Sequence, residues 1–371
     1  MSTTGIIVEF NPFHNGHAAH ILETKQRTGC KHVIAVMSGN FVQRGEPAIY
    51  DKWQRTKMAL NQGVDIVIEI PMPYVISGAD YFARASVKLL EATGIVDTLS
   101  FGSESGNLDE IKAAAEVLAK ESPLYKEVLR KKLDAGLSFA AAKGAALTEC
   151  LDEVSDGLLT KPNNGLAIEY CKALKLLGST MQVMTTHRTP GGPSATKIRK
   201  ELAAQGTVVT LDDFSHIFKY LLYTNEKAVA NLGEGLGNRL RRLCGEFSKI
   251  SDLLQAAKTK RYTYTRLQRA VLGMVLGVSS QDMDKYDSHG GVQYIRVLGF
   301  RKDAAGLVGE ITRRATLPVI TTGADIDKIL QGGNLAAKML ANELIAGDIY
   351  RVASGESGGQ HSERKLGVVV C

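Results

Sequence analysis

Short apolar runs alternate with amphipathic stretches along the first hundred residues of the chain. Four of the apolar runs have the length of a buried strand. They are residues 5–10, 32–39, 65–71 and 98–104. Between them, a helix is predicted over 51–63, beginning after Asp51 and stopping at Gly63, and another over 79–93. Such alternation of strands and helices predicts a parallel sheet covered on both faces.

Helical patterns dominate the rest of the chain. They predict a helical insertion over about 107–155, beside an α/β part that spans 1–210, and a mostly α-helical C-terminal domain over 211–371. The remaining candidates are a helix at 166–179, a strand at 181–188, a helix at 194–206, and strands at 293–300 and 317–321. The fold class is therefore α/β with a helical second domain.

Composition narrows the class of protein. Apolar residues make up 44% of the chain and charged residues 23%, which is ordinary globular usage. Because there is no uninterrupted apolar run of about 18 residues and no basic, signal-like N-terminus, we expect a cytoplasmic protein without a membrane partner. The five cysteines are far apart and form no C-x-x-C pair, which argues against a zinc knuckle or a disulfide framework.

Positive charge is concentrated in the second half of the chain. Residues 211–371 hold 22 Lys/Arg against 17 Asp/Glu, and the segment 239–269 alone holds nine against two. Such an excess is typical of a polyanion-binding surface, and tyrosines between arginines in 261–269 can stack on unpaired bases. The nucleic-acid-binding candidates are Arg241, Arg242, Lys260, Arg261, Tyr262, Arg266 and Arg269. The alternative is a core helix whose basic face is merely solvated.

The strongest chemical signal follows the first predicted strand. Asn11-Pro12 ends that strand, and His14 and His17 then bracket Gly16 where a helix begins. A helix N-terminus attracts anions, and two imidazoles there can donate hydrogen bonds to phosphate oxygens, so both histidines are catalytic candidates for phosphoryl or nucleotidyl transfer. Surface or capping histidines and a zinc site are the alternatives. The chain contains no P-loop, G-x-G-x-x-G or G-x-S-x-G motif.

These motifs resemble those of a known family. His14 to His17 is similar to the H-x-G-H motif of the nucleotidyltransferase superfamily, and Ser194 to Arg199 matches its later S-x-x-x-x-R signature. Over most of its length the chain resembles the bacterial tRNA(Met) cytidine acetate ligase family. The segments that carry this resemblance are GIIVEFNPFHNGH, VMSGNFVQRGEPAI, SFGSE, KPNNGLAIEY and RYTYTRLQR.

The resemblance implies a Rossmann-like nucleotidyltransferase domain that binds ATP, with Mg²⁺ on the phosphates. It implies that acetate is activated as acetyl-adenylate and passed to the wobble cytidine of elongator tRNA(Met). The implied ATP loop consists of Ile7, Val8, Glu9, Phe10, Asn11, Pro12, Phe13, His14, Asn15, Gly16, His17, Ala18, Ala19 and His20. The other implied ATP-binding residues are Gly102, Asn163, Arg188, Ser194, Thr196 and Arg199, with a shortened loop at 189–193.

Several interpretations stay open on the sequence alone. Arg44 can hold a phosphate or acetate, or can form a structural ion pair. Asn163 can instead cap the helix that follows it, and Arg188 can be an ordinary surface arginine. At the level of the whole chain, the alternatives are nucleotidyl transfer to a small phosphorylated metabolite and a non-catalytic RNA-binding protein with the same fold.

Overall fold

The structure of the chain, a computed structural model, describes residues 2–151, 158–159, 161–187, 195–206, 208–224, 232–233, 235–355 and 363–371. Its strands are β1 (Thr3–Val8), β2 (His32–Ser38), β3 (Phe41–Val42), β4 (Glu46–Pro47), β5 (Ile66–Ile70), β6 (Thr98–Ser103), β7 (Gln182–His187), β8 (Ile295–Phe300), β9 (Val319–Ile320) and β10 (Val369–Val370). The first four predicted strands and the one at 181–188 are thus confirmed as β1, β2, β5, β6 and β7.

Helices occupy most of the remaining described residues, and none of those helices is both long and apolar enough to cross a membrane. They are α1 (Asn15–Thr28), α2 (Lys52–Asn61), α3 (Met72–Val75), α4 (Ala79–Ala92), α5 (Leu108–Lys120), α6 (Pro123–Asp134), α7 (Phe139–Cys150), α8 (Pro162–Leu177), α9 (Ala195–Ala204), α10 (Ser215–Thr224), α11 (Leu236–Cys244), α12 (Ile250–Ala257), α13 (Tyr264–Val275), α14 (Ser280–Ser288), α15 (Ala305–Arg314), α16 (Gly323–Gln331) and α17 (Leu335–Ala353).

The main sheet has the order β10-β8-β5-β2-β1-β6-β7, and β9 also pairs with β8. From β5 to β7 all neighbours are parallel. In β2, Val33, Ala35 and Met37 join the core on one face, while Ile34 and Val36 join the core on the other. Successive side chains point to opposite faces, so this continuous apolar run is buried on both sides, as a parallel sheet requires.

The C-terminal residues complete the same sheet. The candidate strands at 293–300 and 317–321 are β8 and β9, and β8 runs antiparallel to β5. Among the described residues, the helices from α10 to α13 pack against one another as a helical layer, around buried side chains that include Phe218, Leu240 and Leu267. The functional division at residue 210 stays a prediction, because the sheet itself takes strands from both sides of it.

Strand order defines where a ligand would bind. The chain moves outward from β1 through β2 to β5, then returns to the opposite side of β1 with β6. This reversal opens a crevice beyond the carboxyl ends of β1 and β6, which is the usual ligand site of an open α/β sheet. The loop after β1, the loop after β6 and the end of β7 therefore meet at one edge.

A buried cluster of charged side chains lies beside the end of β5. Lys52 Nζ is 2.6 Å from Glu69 Oε1 and 2.5 Å from Glu363 Oε2, and Arg296 Nη1 is 3.0 Å and 3.1 Å from the same two carboxylates. All four side chains, and that of neighbouring Glu343, are buried. Two cations thus share one site with three carboxyl groups.

Protonation of one carboxyl group lowers the negative charge of this cluster. Burial, followed by the charge of Glu69, raises the pKa of Glu343 well above its ordinary value. Burial acts in the same direction on Glu69, but Lys52 and Arg296 outweigh it and hold the pKa of Glu69 below its ordinary value. Glu343 is therefore the protonated member of its pair with Glu69 and is hydrogen-bonded to it, which lowers the negative charge at the site.

We predict that Glu343→Gln removes a pH-dependent loss of stability. A group whose pKa is raised by folding contributes stability that is complete below its ordinary pKa, here 4.5, and is lost as pH rises through the folded value. A glutamine amide can donate to Glu69 without titrating. The free energy of unfolding of the variant should therefore gain on wild type above about pH 5, by up to about 1.4 kcal/mol per pH unit.

Urea unfolding at several pH values measures this difference. Exposed Glu246→Gln is the matched control, and its curve should run parallel to that of wild type. Parallel curves for Glu343→Gln as well would contradict the assignment of the proton.

Candidate active site

Two histidines begin α1. His14 is its N-cap, and His14 Nδ1 accepts a hydrogen bond from the N–H of Gly16 at 3.1 Å. His17 Nδ1 accepts from the N–H of His14 at 3.3 Å, and the two rings stack with centroids 3.8 Å apart. Because each Nδ1 accepts a backbone proton, each neutral ring carries its own proton on Nε2. Capping and anion binding are thus compatible roles, since the capping atom and the donor atom differ.

The loop before α1 is held in an unusual conformation. Phe10 has a φ of 49°, which is uncommon for a bulky residue, and the Asn11–Pro12 peptide bond is cis. The buried Phe10 ring contacts the rings of Phe13 and His17, at centroid distances of 4.8 and 5.0 Å. The aromatic contact therefore fixes the plane of the His17 ring.

Buried Arg55 ties this loop to the neighbouring strand. Its guanidinium donates to the carbonyl oxygens of Glu9 at 2.6 Å, Ser38 at 3.1 Å and Tyr50 at 2.9 Å, and also to that of Gly39. Burial lowers the pKa of Arg55 to about 10, so it stays charged at neutral pH. No sequence motif indicates this role, because residues 51–63 have the pattern of an ordinary charged helix.

The second signature of the sequence lies against the same loop. Arg199 in α9 donates from Nη1 to the carbonyl oxygen of Asn11 at 2.8 Å and from Nη2 to Thr196 Oγ1 at 3.1 Å. Arg199 and Arg55 thus hold the two carbonyls that flank Phe10. The predicted residues Arg188 and Ser194, and the short 189–193 loop, lie outside the described residues.

On the other side of the crevice, Gly102 of β6 pairs with Thr186 of β7. The carboxylate of Glu104 accepts hydrogen bonds from the N–H groups of Asn163 and Asn164, at 3.3 and 2.9 Å, and from Asn163 Nδ2 at 2.6 Å. Glu104 therefore caps α8 from outside, and the capping interpretation of Asn163 is wrong. Its fixed amide lies next to the end of β6.

His20 completes the contact between α1 and this side, with Nδ1 3.0 Å from the Oγ1 of Thr186. The structure therefore brings the described residues of the implied ATP set to one edge of the sheet, and their individual roles remain predictions. Within the described ranges, no group of three or more His, Cys, Asp or Glu is placed to hold a metal ion.

The Phe41–Pro47 hairpin connects the loop before α1 to the basic segment 239–269. Its Gln43 N–H donates to Glu9 Oε1 at 2.7 Å, and its Gly45, at φ 83°, lies so close to the backbone of Arg269 that a Cβ atom would be 2.5 Å from Arg269 N. Burial raises the pKa of Glu9, against the opposing effects of the Gln43 N–H and of nearby arginines that include Arg44. Arg44 is thus near a carboxylate in a charged cluster at the crevice.

The basic candidates divide into two groups. Arg242, Lys260 and Arg261 are exposed, and Arg266 lies over the ring of Tyr262 at 5.5 Å. Arg269 instead points to the hairpin, with Nη1 3.4 Å from the Gln43 carbonyl oxygen, and burial lowers its pKa to about 10.

Arg241 is exposed but anchored, because its Nε donates to the carbonyl oxygen of Leu222 at 3.0 Å. The exposed side chains of Arg242, Lys260 and Arg261 are therefore the ones suited to bind phosphates.

Comparison with known proteins gives the family. A family model described as HIGH Nucleotidyl Transferase matches residues 1–209 and 192–365. A Thermoanaerobacter sp. (strain X514) protein named tRNA(Met) cytidine acetate ligase is 37% identical over 95% of this chain and 96% of its own length. The Acetivibrio thermocellus protein of that name is 34% identical over 94% of each chain. The chain belongs to the tRNA(Met) cytidine acetate ligase family.

Solved structures agree with this membership. The crystal structure of Thermotoga maritima TmcAL bound with alpha-thio ATP is 28% identical and superposes with a TM-score of 0.91, covering 100% of this chain and 99% of that one. The apo structure of the same protein gives a TM-score of 0.90 at 27% identity. The resemblance to the ligase family and the nucleotidyltransferase fold predicted from it are confirmed.

We predict that His14 and His17 are both in the Nε2–H tautomer, and that Arg55→Lys loosens this arrangement. Lysine keeps the charge but lacks the planar fork that reaches several carbonyls at once. Long-range ¹⁵N–¹H spectra of the imidazoles distinguish the tautomers. Wild type should show two fixed Nε2–H rings, and the variant should show averaged ring nitrogens.

Lys57→Met is the matched control for this experiment, because Lys57 lies on the same helix as Arg55 but is exposed. Its histidine signals should match those of wild type at a temperature where both proteins are folded. Averaged ring nitrogens in wild type itself would refute the proposed hydrogen bonding.

Proposed function

We propose that this chain is an ATP-dependent ligase that activates acetate as acetyl-adenylate and acetylates the wobble cytidine of elongator tRNA(Met). The observation that carries the proposal is the start of α1, where capping fixes two stacked imidazoles with their Nε2–H groups as donors. Family membership, the names of the relatives and the nucleotide in the related crystal structure support it.

The first step would be adenylation. A carboxylate oxygen of acetate attacks the α-phosphorus of ATP, a new O–P bond forms, and the bond to the pyrophosphate oxygen breaks. His14 and His17 would donate hydrogen bonds to phosphoryl oxygens whose charge grows in the transition state. Mg²⁺ would enter with the phosphates of ATP, as is usual where substrate oxygens supply most of its ligands.

Acetyl transfer would follow in the same crevice. The exocyclic amine of the cytidine attacks the carbonyl carbon of acetyl-adenylate, AMP leaves with the bonding electrons, and the amine loses a proton. No covalent enzyme intermediate is needed, so positioning provides most of the catalysis. Residues 1–210 would carry adenylation and 211–371 would bind tRNA, while β8, β9 and β10 complete the sheet.

We predict that His14→Ala or His17→Ala lowers acetate-dependent exchange of pyrophosphate into ATP by about 100- to 1000-fold, with a smaller loss of ATP affinity. The reason is that each ring serves the transition state more than the ground state. Exposed His216→Ala is the control and should exchange normally.

Near wild-type exchange in both variants would sink the assignment of the histidines. Exchange that requires a phosphorylated metabolite in place of acetate would favour the metabolite-transferring alternative. A complete absence of exchange in wild type would favour the non-catalytic alternative.

We predict that reversing Arg242, Lys260 and Arg261 to Glu weakens tRNA binding and flattens its dependence on salt. Each lost phosphate contact should reduce the log–log slope by about 0.7 to 0.9. Arg269→Gln is tested separately from this triple variant, because the Arg269 side chain contacts the hairpin.

Filter binding of unmodified tRNA across a salt series measures both effects. Acetate-dependent exchange should persist in the triple variant, since adenylation lies at the sheet edge. An unchanged affinity and slope would show that this basic surface is only a solvated face.

A further inference from the structure

Helix α10 presents apolar side chains to solvent. Ile217, Tyr220 and Tyr223 are 46%, 66% and 63% exposed, and their spacing of three places them on one side of the helix. The opposite side, with Phe218 and Leu222, is fully buried against the helical layer. The helix thus already has its core contact, and the aromatic face is additional to it.

Two basic side chains are anchored close to this aromatic face. The proximity of Cys244 in α11 raises the pKa of the Tyr223 phenol, so the two side chains are neighbours. Arg241 donates to the carbonyl oxygen of Leu222, so its guanidinium lies at the last turn of α10 next to Tyr223. Lys219 is anchored by a hydrogen bond to the carbonyl oxygen of Phe247. Two cations of fixed position therefore accompany the aromatic face.

Charge distinguishes the kinds of partner. Helix α10 contains no acidic residue, and the adjoining segment 239–269 holds nine basic residues against two acidic ones. A second copy of the chain would bring the same cations against themselves across a twofold interface, which is unfavourable. A polyanion with exposed aromatic rings fits both features, and single-stranded RNA has this chemistry.

We propose that the α10 face, defined by Ile217, Tyr220 and Tyr223, stacks unpaired bases of the tRNA substrate. This inference rests on the proposed function and adds a second kind of contact to it. The basic segment would bind phosphates, while the α10 face would recognise nucleotides that are not base-paired. Because stacking releases few counterions, its contribution to affinity should be nearly independent of salt.

The test compares Tyr220→Ala/Tyr223→Ala with Tyr220→Phe/Tyr223→Phe. The alanine variant should bind unmodified elongator tRNA(Met) at least about fivefold more weakly at every salt concentration, with an unchanged log–log slope. The phenylalanine variant should bind like wild type, since it retains the rings. Phe139→Ala is the matched control, because Phe139 is an aromatic side chain of similar exposure, 60%, in the helical insertion.

A single-stranded oligoribonucleotide and a fully paired RNA duplex serve as the second pair of probes. The alanine variant should lose affinity for the single strand and keep its affinity for the duplex. Equal losses for both, a flattened salt slope, or tRNA affinity within twofold of wild type would each overturn the proposal. A wild-type dimer in sedimentation that is lost in the alanine variant would also overturn the proposal, because it would assign the face to self-association.

Acetate-dependent exchange of pyrophosphate into ATP, measured on the same proteins, separates this proposal from the proposed function. Exchange should be normal in all the variants. If wild type lacked exchange, the ligase proposal would fail, while the RNA-binding measurements would still decide the role of the α10 face.

Discussion

The structure depends on a cluster of buried charged side chains next to the end of β5, because the cluster connects segments that are distant along the chain. Its members are Lys52, Glu69, Arg296, Glu343 and Glu363. None of these charges can be left unpaired there without a large desolvation cost. The cluster therefore joins α2 and β5 to β8, α17 and the segment before β10. Its carboxylates also lie directly behind the loop after β2, so the buried charges support the edge of the sheet where chemistry would occur.

At that edge, main-chain groups do most of the positioning. Arg55 and Arg199 each hold a carbonyl next to Phe10, whose backbone conformation would otherwise be unfavourable. The ring of Phe10 in turn fixes His17. Each imidazole accepts a backbone N–H at the start of α1 through its Nδ1, which leaves the ring proton on Nε2.

Features with local causes could be predicted from the sequence. The strands, the helix start at His14 and the contact of the Arg199 helix with the crevice follow from periodicity and from motifs. The buried roles of Lys52 and Arg55 could not be predicted, because a basic residue in an amphipathic helix normally faces water. Their partners come from distant segments, as does Glu104, the cap of α8. For the same reason, the sequence predicts a surface role for Arg269, although its side chain faces the hairpin.

The Phe41–Pro47 hairpin has a consequence for how this protein can be recombined with its relatives. One side of it is bonded to Glu9 at the crevice, and its Glu46 and Gly45 lie against Gln268 and Arg269 of α13. A chimera that exchanges only the helical layer would set a foreign helix against a hairpin shaped for another sequence. A chimera should therefore take the hairpin and the helical layer from the same parent, although more than 150 residues separate them along the chain.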